Sequence, residues 1–217
     1  MNILKNYCHR PFPQSFEEFK HAMVSYSQFG EDLLVQEILG YDRKDIFYIE
    51  LGAYQPISKS NTYIFYKRGG RGICVEPNPL ARKLWERIRP RDIFVNAGVT
   101  GGLTCCMDYI TDNAAGGMNH FCVESESGDS NKIKVLNIRE LLELYLPAGK
   151  DVDFLTVDCE GMDLQILESF PFEKVRPRVV AVEDFDISGQ SAVHRYLENQ
   201  GYQFASLAKI TKIFVRH

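Results

Sequence analysis

Five short apolar runs, IFYIEL (46–51), GICVE (72–76), DIFVNA (92–97), DFLTVD (153–158) and RVVAVED (178–184), alternate with stretches of helical spacing. The apolar runs are rich in Val, Ile and Phe and nearly unbroken, as strands covered on both faces must be. Between them NTYIFYKR (61–68), PLARKLWERI (79–88), NIRELLELYL (137–146), DLQILESF (163–170) and SAVHRYLENQ (191–200) repeat apolar residues at three to four positions. Strand–helix alternation predicts βαβ units and a parallel sheet. The chain closes differently. YQFASLA and TKIFVR are separated by little more than Lys209-Ile210, and so short a link joins only antiparallel neighbours. The pattern therefore predicts an α/β domain, mostly parallel, with one reversed strand at the carboxyl-terminal end.

That domain is expected over residues 26–217, after an N-terminal extension (1–25) in which FEEFKHAM is a short helix. A further helix falls in SQFGEDLLVQEILG, with acids in its first turn and Gly40 at its stop. Residues 98–136 interrupt the alternation. GGLTCCMDY reads as an extra strand, and the polar, Gly-rich stretch 112–131 as a long loop of the kind that forms lids or binding loops.

With 217 residues, 45% of them hydrophobic, the chain is long enough for a sizeable core. A net charge of −4 disfavours non-specific nucleic-acid binding. No apolar run reaches the roughly 18–20 residues that span a bilayer, and the first residues lack a signal-peptide core. The cysteines form no C-x-x-C pair and the histidines are scattered, so reduced thiols, no zinc site and a cytoplasmic location are expected. Oligomeric state is not legible.

Ligands of open parallel sheets bind at the carboxyl ends of the strands, near the switch in strand order. Here nearly every strand ends in a polar side chain: Glu50, Glu76, Asn96, Asp158 and Glu183-Asp184. Gly52 supplies a tight turn and close backbone approach. Glu76, ending the next strand, suits the two hydroxyls of a ribose, which points to an adenosine-containing ligand. The Gly-x-Gly-x-x-Gly cradle of a pyrophosphate is missing, since Gly52 is followed by Ala53-Tyr54-Gln55-Pro56. An acid such as Glu50 repels phosphate and favours a sulfonium, with Ser60, Asn61 or Thr62 at a helix start for the methionyl carboxylate.

YSQFGED (26–32), IELGAYQPISKSNTYIFYKRGGRGICVEPNP (49–79) and DFLTVDCEGMDLQIL (153–167) resemble the signature blocks of the FkbM-type methyltransferases, over about residues 26–216. The resemblance implies a class I (Rossmann-like) methyltransferase fold: a seven-stranded, mostly parallel sheet with an antiparallel last strand and helices on both faces. It also implies S-adenosyl-L-methionine as cofactor and O-methylation of a sugar, surface glycan or secondary metabolite. By position, Glu50, Gly52, Ala53 and Tyr54 would line the methionyl part. Glu76 with Pro77 would hold the ribose, Asn96-Ala97 would lie near the adenine, and Gln28 and Glu31 would close over the cofactor. Asp158 and Glu160 would face the methyl. Two positions depart from the family: Glu50 replaces a common Asp, and Tyr54-Gln55 stand where relatives often carry histidines.

Methyl transfer to a hydroxyl profits from a general base. Asp158 and Glu160 are the first candidates and His120 the second. Each has an ordinary alternative: Asp158 capping the helix near 162, His120 a surface-loop residue. The run RKLWERIRPRD (82–92) reads as a solvated helix face, or less readily as an attractor of a phosphorylated acceptor, with Trp85 packed on the sheet. A nicotinamide-dependent oxidoreductase and a non-catalytic cofactor-binding partner are the competing functions. The missing glycines and the reversed strand weigh against the first, and the run of strand-end acids against the second.

Overall fold

A computed structural model describes residues 15–110, 120–122 and 131–216. The expected extension before Ser15, and the parts of the 112–131 stretch outside 120–122 and 131, lie outside the described residues. In chain order the elements are α1 (Phe16–Lys20), α2 (Glu31–Leu39), β1 (Phe47–Leu51), α3 (Tyr63–Lys67), β2 (Arg71–Val75), α4 (Arg82–Ile88), β3 (Ile93–Val95) and β4 (Gly98–Thr100). There follow β5 (Cys105–Ile110), β6 (His120–Cys122), β7 (Asn131–Asn137), α5 (Ile138–Tyr145), β8 (Phe154–Val157), α6 (Asp163–Ser169), β9 (Val179–Glu183), α7 (Ala192–Asn199), β10 (Gln203–Ala208) and β11 (Thr211–Val215).

The seven-stranded sheet has the order β10-β11-β9-β8-β1-β2-β3. All its strands run parallel except β11, which pairs antiparallel with both β10 and β9. Ala208 faces Thr211 across the two-residue turn Lys209-Ile210, with Lys209 at a positive φ of 55°. The closing hairpin expected from the sequence is therefore present, and its second strand inserts between β10 and β9.

Alternation along β1 divides the core. Phe47, Ile49 and Leu51 join Leu155, Val157, Val180 and Val182 on one face, covered by Leu141 and Leu142 of α5, Ile166 and Leu167 of α6, and Val193 and Leu197 of α7. Tyr48, Cys74, Phe154 and Ala181 face the other way, under Val35 and Leu39 of α2, Phe65 of α3 and Trp85 of α4. Helices thus cover both faces, which explains the unbroken apolar runs. Asn137 and Ser191 cap α5 and α7, accepting from Arg139 N at 2.8 Å and His194 N at 3.0 Å.

The interruption after β3 differs from expectation. It forms a second sheet, order β4-β7-β5-β6, in which β7 pairs parallel with β4 and antiparallel with β5. The sequence reading missed β4 and β7 and treated His120 as part of a loop, whereas it lies on β6, paired with Ile110. NKIKVLN alternates apolar and polar residues, the mark of a half-buried strand, but it adjoins a polar Gly-rich stretch that masked it. Among the described residues no helix is long and apolar enough to cross a membrane.

Candidate active site

The chain passes from β1 outward through β2 and β3, then returns to β8 on the other flank of β1. The switch point therefore lies between the ends of β1 and β8. Gly52 turns there with φ +77°, and a Cβ on it would stand 1.7 Å from the Asp158 carbonyl oxygen. Glycine is required because the backbones just past the paired strands β1 and β8 approach so closely, a reason distinct from the ligand approach expected from sequence. Ala53 N donates to Val75 O at 2.9 Å. Tyr54 (φ 47°) and Glu160 (φ 49°), just past β1 and β8, both adopt the left-handed region that non-glycine residues avoid. Such strain gathers where surrounding structure fixes a binding site.

Glu76 is buried. Its two oxygens accept from Tyr54 N and Asn78 N, each at 2.8 Å. Burial, opposed by those two N–H groups, pushes its carboxyl up to about 7. A carboxylate has about four lone-pair sites, so two remain open. Asn96 donates to Glu76 O at 2.8 Å and Asn78 O at 2.9 Å, fixing the loop that carries Glu76 and Pro77.

Asp158 and Glu183 end adjacent parallel strands whose preceding residues, Val157 and Val182, are in register. Their carboxyl groups lie close enough for each to influence the other's charge. Asp158 opens to solvent on one side while protein crowds the other. Loss of water there, then the charges of Glu183, Asp163 and Glu160, push its carboxyl up to about 8. Glu183 is also raised, by burial first and then by Glu160 and Asp163. Two like charges so close hold one proton between them. Asp158 does not cap α6. No side chain caps α6, whose N-cap position is Met162; Asp163, its first residue, instead accepts from Cys159 N at 2.9 Å and Gly161 N at 3.0 Å and so shapes the DCEG turn. Glu160 is exposed beside the pair.

Glu50 corrects the sequence reading. Its side chain points into the α2–α4 face and is 3% exposed. It accepts from Thr62 Oγ1 at 2.5 Å, Asn61 N at 2.9 Å and Ser60 Oγ at 3.2 Å, and Arg89 Nη1 lies 3.4 Å away. Burial raises its carboxyl, and Arg89, Thr62, Asn61 and Ser60 oppose that rise. Ser60 and Thr62 are fully buried on the same network, so neither offers its hydroxyl to a ligand. Asn61 instead donates from Nδ2 to Thr156 Oγ1 at 3.0 Å, joining the turn to β8.

Arg89 is the residue sequence reasoning missed. The solvated-face reading holds for the exposed Arg82, Lys83, Glu86 and Arg87, but Arg89 is 1% exposed. Arg89 stands four residues after the buried Trp85, on the same helical side, and that spacing was the available signal. Trp85 itself stacks on Phe94 against the sheet.

Gln28 is exposed, and Glu31 is buried, accepting from Phe29 N at 2.7 Å and from Thr211 Oγ1 at 3.3 Å, where Thr211 pairs with Glu183. Asp32, not singled out from sequence, gathers Ser25 Oγ at 2.6 Å, Tyr26 N at 2.7 Å and Ser27 Oγ at 2.8 Å. After β9, buried Lys212 fastens the 184–191 loop through Asp184 Oδ2 (2.9 Å), Asp186 O (2.6 Å), Ser188 O (2.7 Å) and Ser191 Oγ (2.9 Å). That loop presents Phe185 and Ile187 outward beside Glu183. The His120 side chain lies outside what the structure describes. Among the described residues no group of three or more His, Cys, Asp or Glu is placed to hold a metal. Two surface grooves near Lys150, Arg176 and Arg216 open at the opposite strand ends and contain none of these groups.

The strand order, the reversed β11 and the glycine turn at the switch point define a class I, S-adenosylmethionine-dependent methyltransferase. Residues 50–204 match the family model of the methyltransferase FkbM domain, and the chain belongs to that family. No curated protein sequence matches it. Similar solved structures include a TehB-like S-adenosylmethionine-dependent methyltransferase from Corynebacterium glutamicum (10% identity, TM-score 0.44, covering 93% of this chain and 94% of that one). Others are the 1,6-didemethyltoxoflavin N1-methyltransferase of Burkholderia thailandensis (12%, 0.46, 86% and 76%) and fibrillarin from Aeropyrum pernix (14%, 0.45, 87% and 74%). No residue role is carried over from them.

Proposed function

We propose that this methyltransferase methylates a hydroxyl group of a sugar, surface glycan or secondary metabolite, with Asp158 as proton acceptor and Glu183 as its partner. The observation that carries this reading is the carboxyl pair at the ends of β8 and β9. A hydroxyl acceptor must lose its proton, and a base with a pKa near neutrality serves that step best. Asp158, pushed up to about 8, meets that demand in its deprotonated form, which a neighbouring positive sulfur favours. Glu160 lies beside it as a second acceptor of the proton, and His120 stays a candidate on the second sheet.

The donor set suits the cofactor. The open lone pairs of Glu76 match a ribose diol, and the acidic pair matches a positive sulfur. The bound cofactor supplies an activated methyl group and its leaving group, so the chain's own task is positioning and proton removal. In this reading Gly52, Ala53 and Tyr54 lie along the methionyl part, and Pro77, Asn96 and Ala97 support Glu76 and the adenine. The outward Phe185 and Ile187 flank the acceptor side. The chain is proposed to work in the cytoplasm.

Incubation with methyl-labelled S-adenosylmethionine and a panel of sugars, glycans and phenols tests the reading. A methyl ether, found by mass spectrometry and lost in Asp158→Asn with cofactor affinity retained, is the expected product. A methyl group on nitrogen alone would overturn it. Glu76→Ala is expected to weaken S-adenosylhomocysteine binding by about 1–3 kcal/mol, the worth of hydrogen bonds to a charged group. Unchanged affinity in calorimetry would remove the ribose assignment.

A further inference from the structure

On the α2–α4 face of the sheet lies a charged network that the methyl-transfer chemistry does not use. Arg89, 1% exposed, donates from Nη1 to Ser60 Oγ at 3.0 Å and to Pro56 O at 3.4 Å, and from Nη2 to Thr62 Oγ1 at 2.7 Å and Tyr48 Oη at 3.0 Å. Its Nε donates to Asp92 Oδ2 at 2.6 Å, and its guanidinium lies 4.6 Å from the centre of the Trp85 ring. Thr62 accepts from Arg89 and donates its own O–H to Glu50. One planar fork therefore grips the 56–62 segment at Pro56, Ser60 and Thr62, and faces the acid that ends β1. The segment it grips joins the Gly52 turn to α3.

Resting on the methyltransferase reading, we infer that Arg89 is a positioning residue for cofactor binding. It holds the Glu50 carboxylate as an internal anchor of the 56–62 segment, so Glu50 contributes shape to the pocket and is not the counter-ion of the sulfonium. A guanidinium is suited to this because its five fixed donors serve several acceptors at once, which an ammonium on a flexible stem does not. Two acids, Glu50 and Asp92, share this one cation, and each is buried with it. Asp92 further accepts from Tyr48 Oη at 2.8 Å and Gly72 N at 3.0 Å, which ties the network to β1 and β2. Recognition of the cofactor's positive charge is thereby left to the open carboxylates at the ends of β8 and β9.

S-adenosylmethionine and S-adenosylhomocysteine differ by the methyl group and its positive charge, so the pair separates shape from charge. In Glu50→Gln, both dissociation constants are expected to rise by the same factor, about tenfold, leaving their ratio unchanged. Arg89→Lys, which keeps the charge and loses the fork, is expected to weaken both by about tenfold as well. In the cofactor-free protein, hydrogen exchange at the Asn61 and Tyr63 amides should quicken about tenfold in Arg89→Lys, since those amides bond to Glu50 and Ser60. Thr62→Val removes the bridging hydroxyl at nearly equal volume and carries the same expectations if Glu50→Gln does not fold. A loss of S-adenosylmethionine affinity at least about tenfold greater than that of S-adenosylhomocysteine in Glu50→Gln would make Glu50 the counter-ion and overturn the inference. So would wild-type binding and exchange in Arg89→Lys. If the wild-type chain bound neither compound, the methyltransferase reading would fall, and the exchange rates would still decide whether Arg89 holds the segment.

Discussion

Gly52→Ala is expected to leave little folded protein. The added Cβ would stand 1.7 Å from the Asp158 carbonyl oxygen and 2.8 Å from its carbon, and φ at this position is +77°. Neither obstacle is a side chain that can swing aside. Relief requires β1 and β8 to part at the centre of the sheet, where Asp158 N donates to Leu51 O at 3.0 Å. A loss above about 4 kcal/mol places the substitution in the range reserved for backbone strain and core disruption. For a chain of this size that lowers Tm by roughly 10 °C or more. Soluble yield and a thermal melt followed by circular dichroism measure it, and a Tm within a few degrees of wild type would show that the two backbones have room to part.

Arg89→Met is the second large effect. Methionine fills much of the space but leaves Glu50 and Asp92 buried without their cation. Removing one partner of a buried ion pair costs about 3–5 kcal/mol. The cost should depend on pH. Burial already raises the Glu50 carboxyl, and the guanidinium is a main force opposing that rise. In the variant the carboxyl therefore lies further above its unfolded value, so its penalty is full at high pH and shrinks as falling pH protonates it. The gap between wild-type and variant urea midpoints should be widest near pH 8 and narrower near pH 5.5. A gap that is constant or widens toward acid would mean that Glu50 is not the group left unpaired.

These two effects bear on what the sequence discloses. The strands and their reversed last member were legible because burial on two faces leaves unbroken Val, Ile and Phe runs, and because two residues cannot join parallel strands. The positions that crowd the switch point, Gly52, Glu76 and Asp158, were legible for the same topological reason. Side-chain direction was not. Glu50 ends a strand beside the site, yet the period of two sends it to the Tyr48 face, where Arg89 takes it up. Arg89 is separated from Glu50 by a strand, two helices and their loops, and nothing local reports their meeting. Lys212 was hidden likewise, as an ordinary residue of TKIFVR that turns inward to hold the loop after β9. The second sheet was obscured because β4 and β6 have three residues each, too few for a periodic signal.

The central claim is that the carboxyl pair ending β8 and β9, and not Glu50, meets the positive sulfur. The affinity ratio of S-adenosylmethionine to S-adenosylhomocysteine, measured by calorimetry between pH 6.5 and 9, tests it most directly. The ratio cancels the ribose at Glu76 and the methionyl ammonium, which both compounds share. Asp158 is pushed up to about 8, so it is neutral at the acid end and charged at the alkaline end. The ratio should rise about tenfold in favour of S-adenosylmethionine across that window, the equivalent of ~1.4 kcal/mol, and should stay flat in Asp158→Asn. A flat ratio in the wild-type protein, or an undiminished rise in Asp158→Asn, would contradict the account.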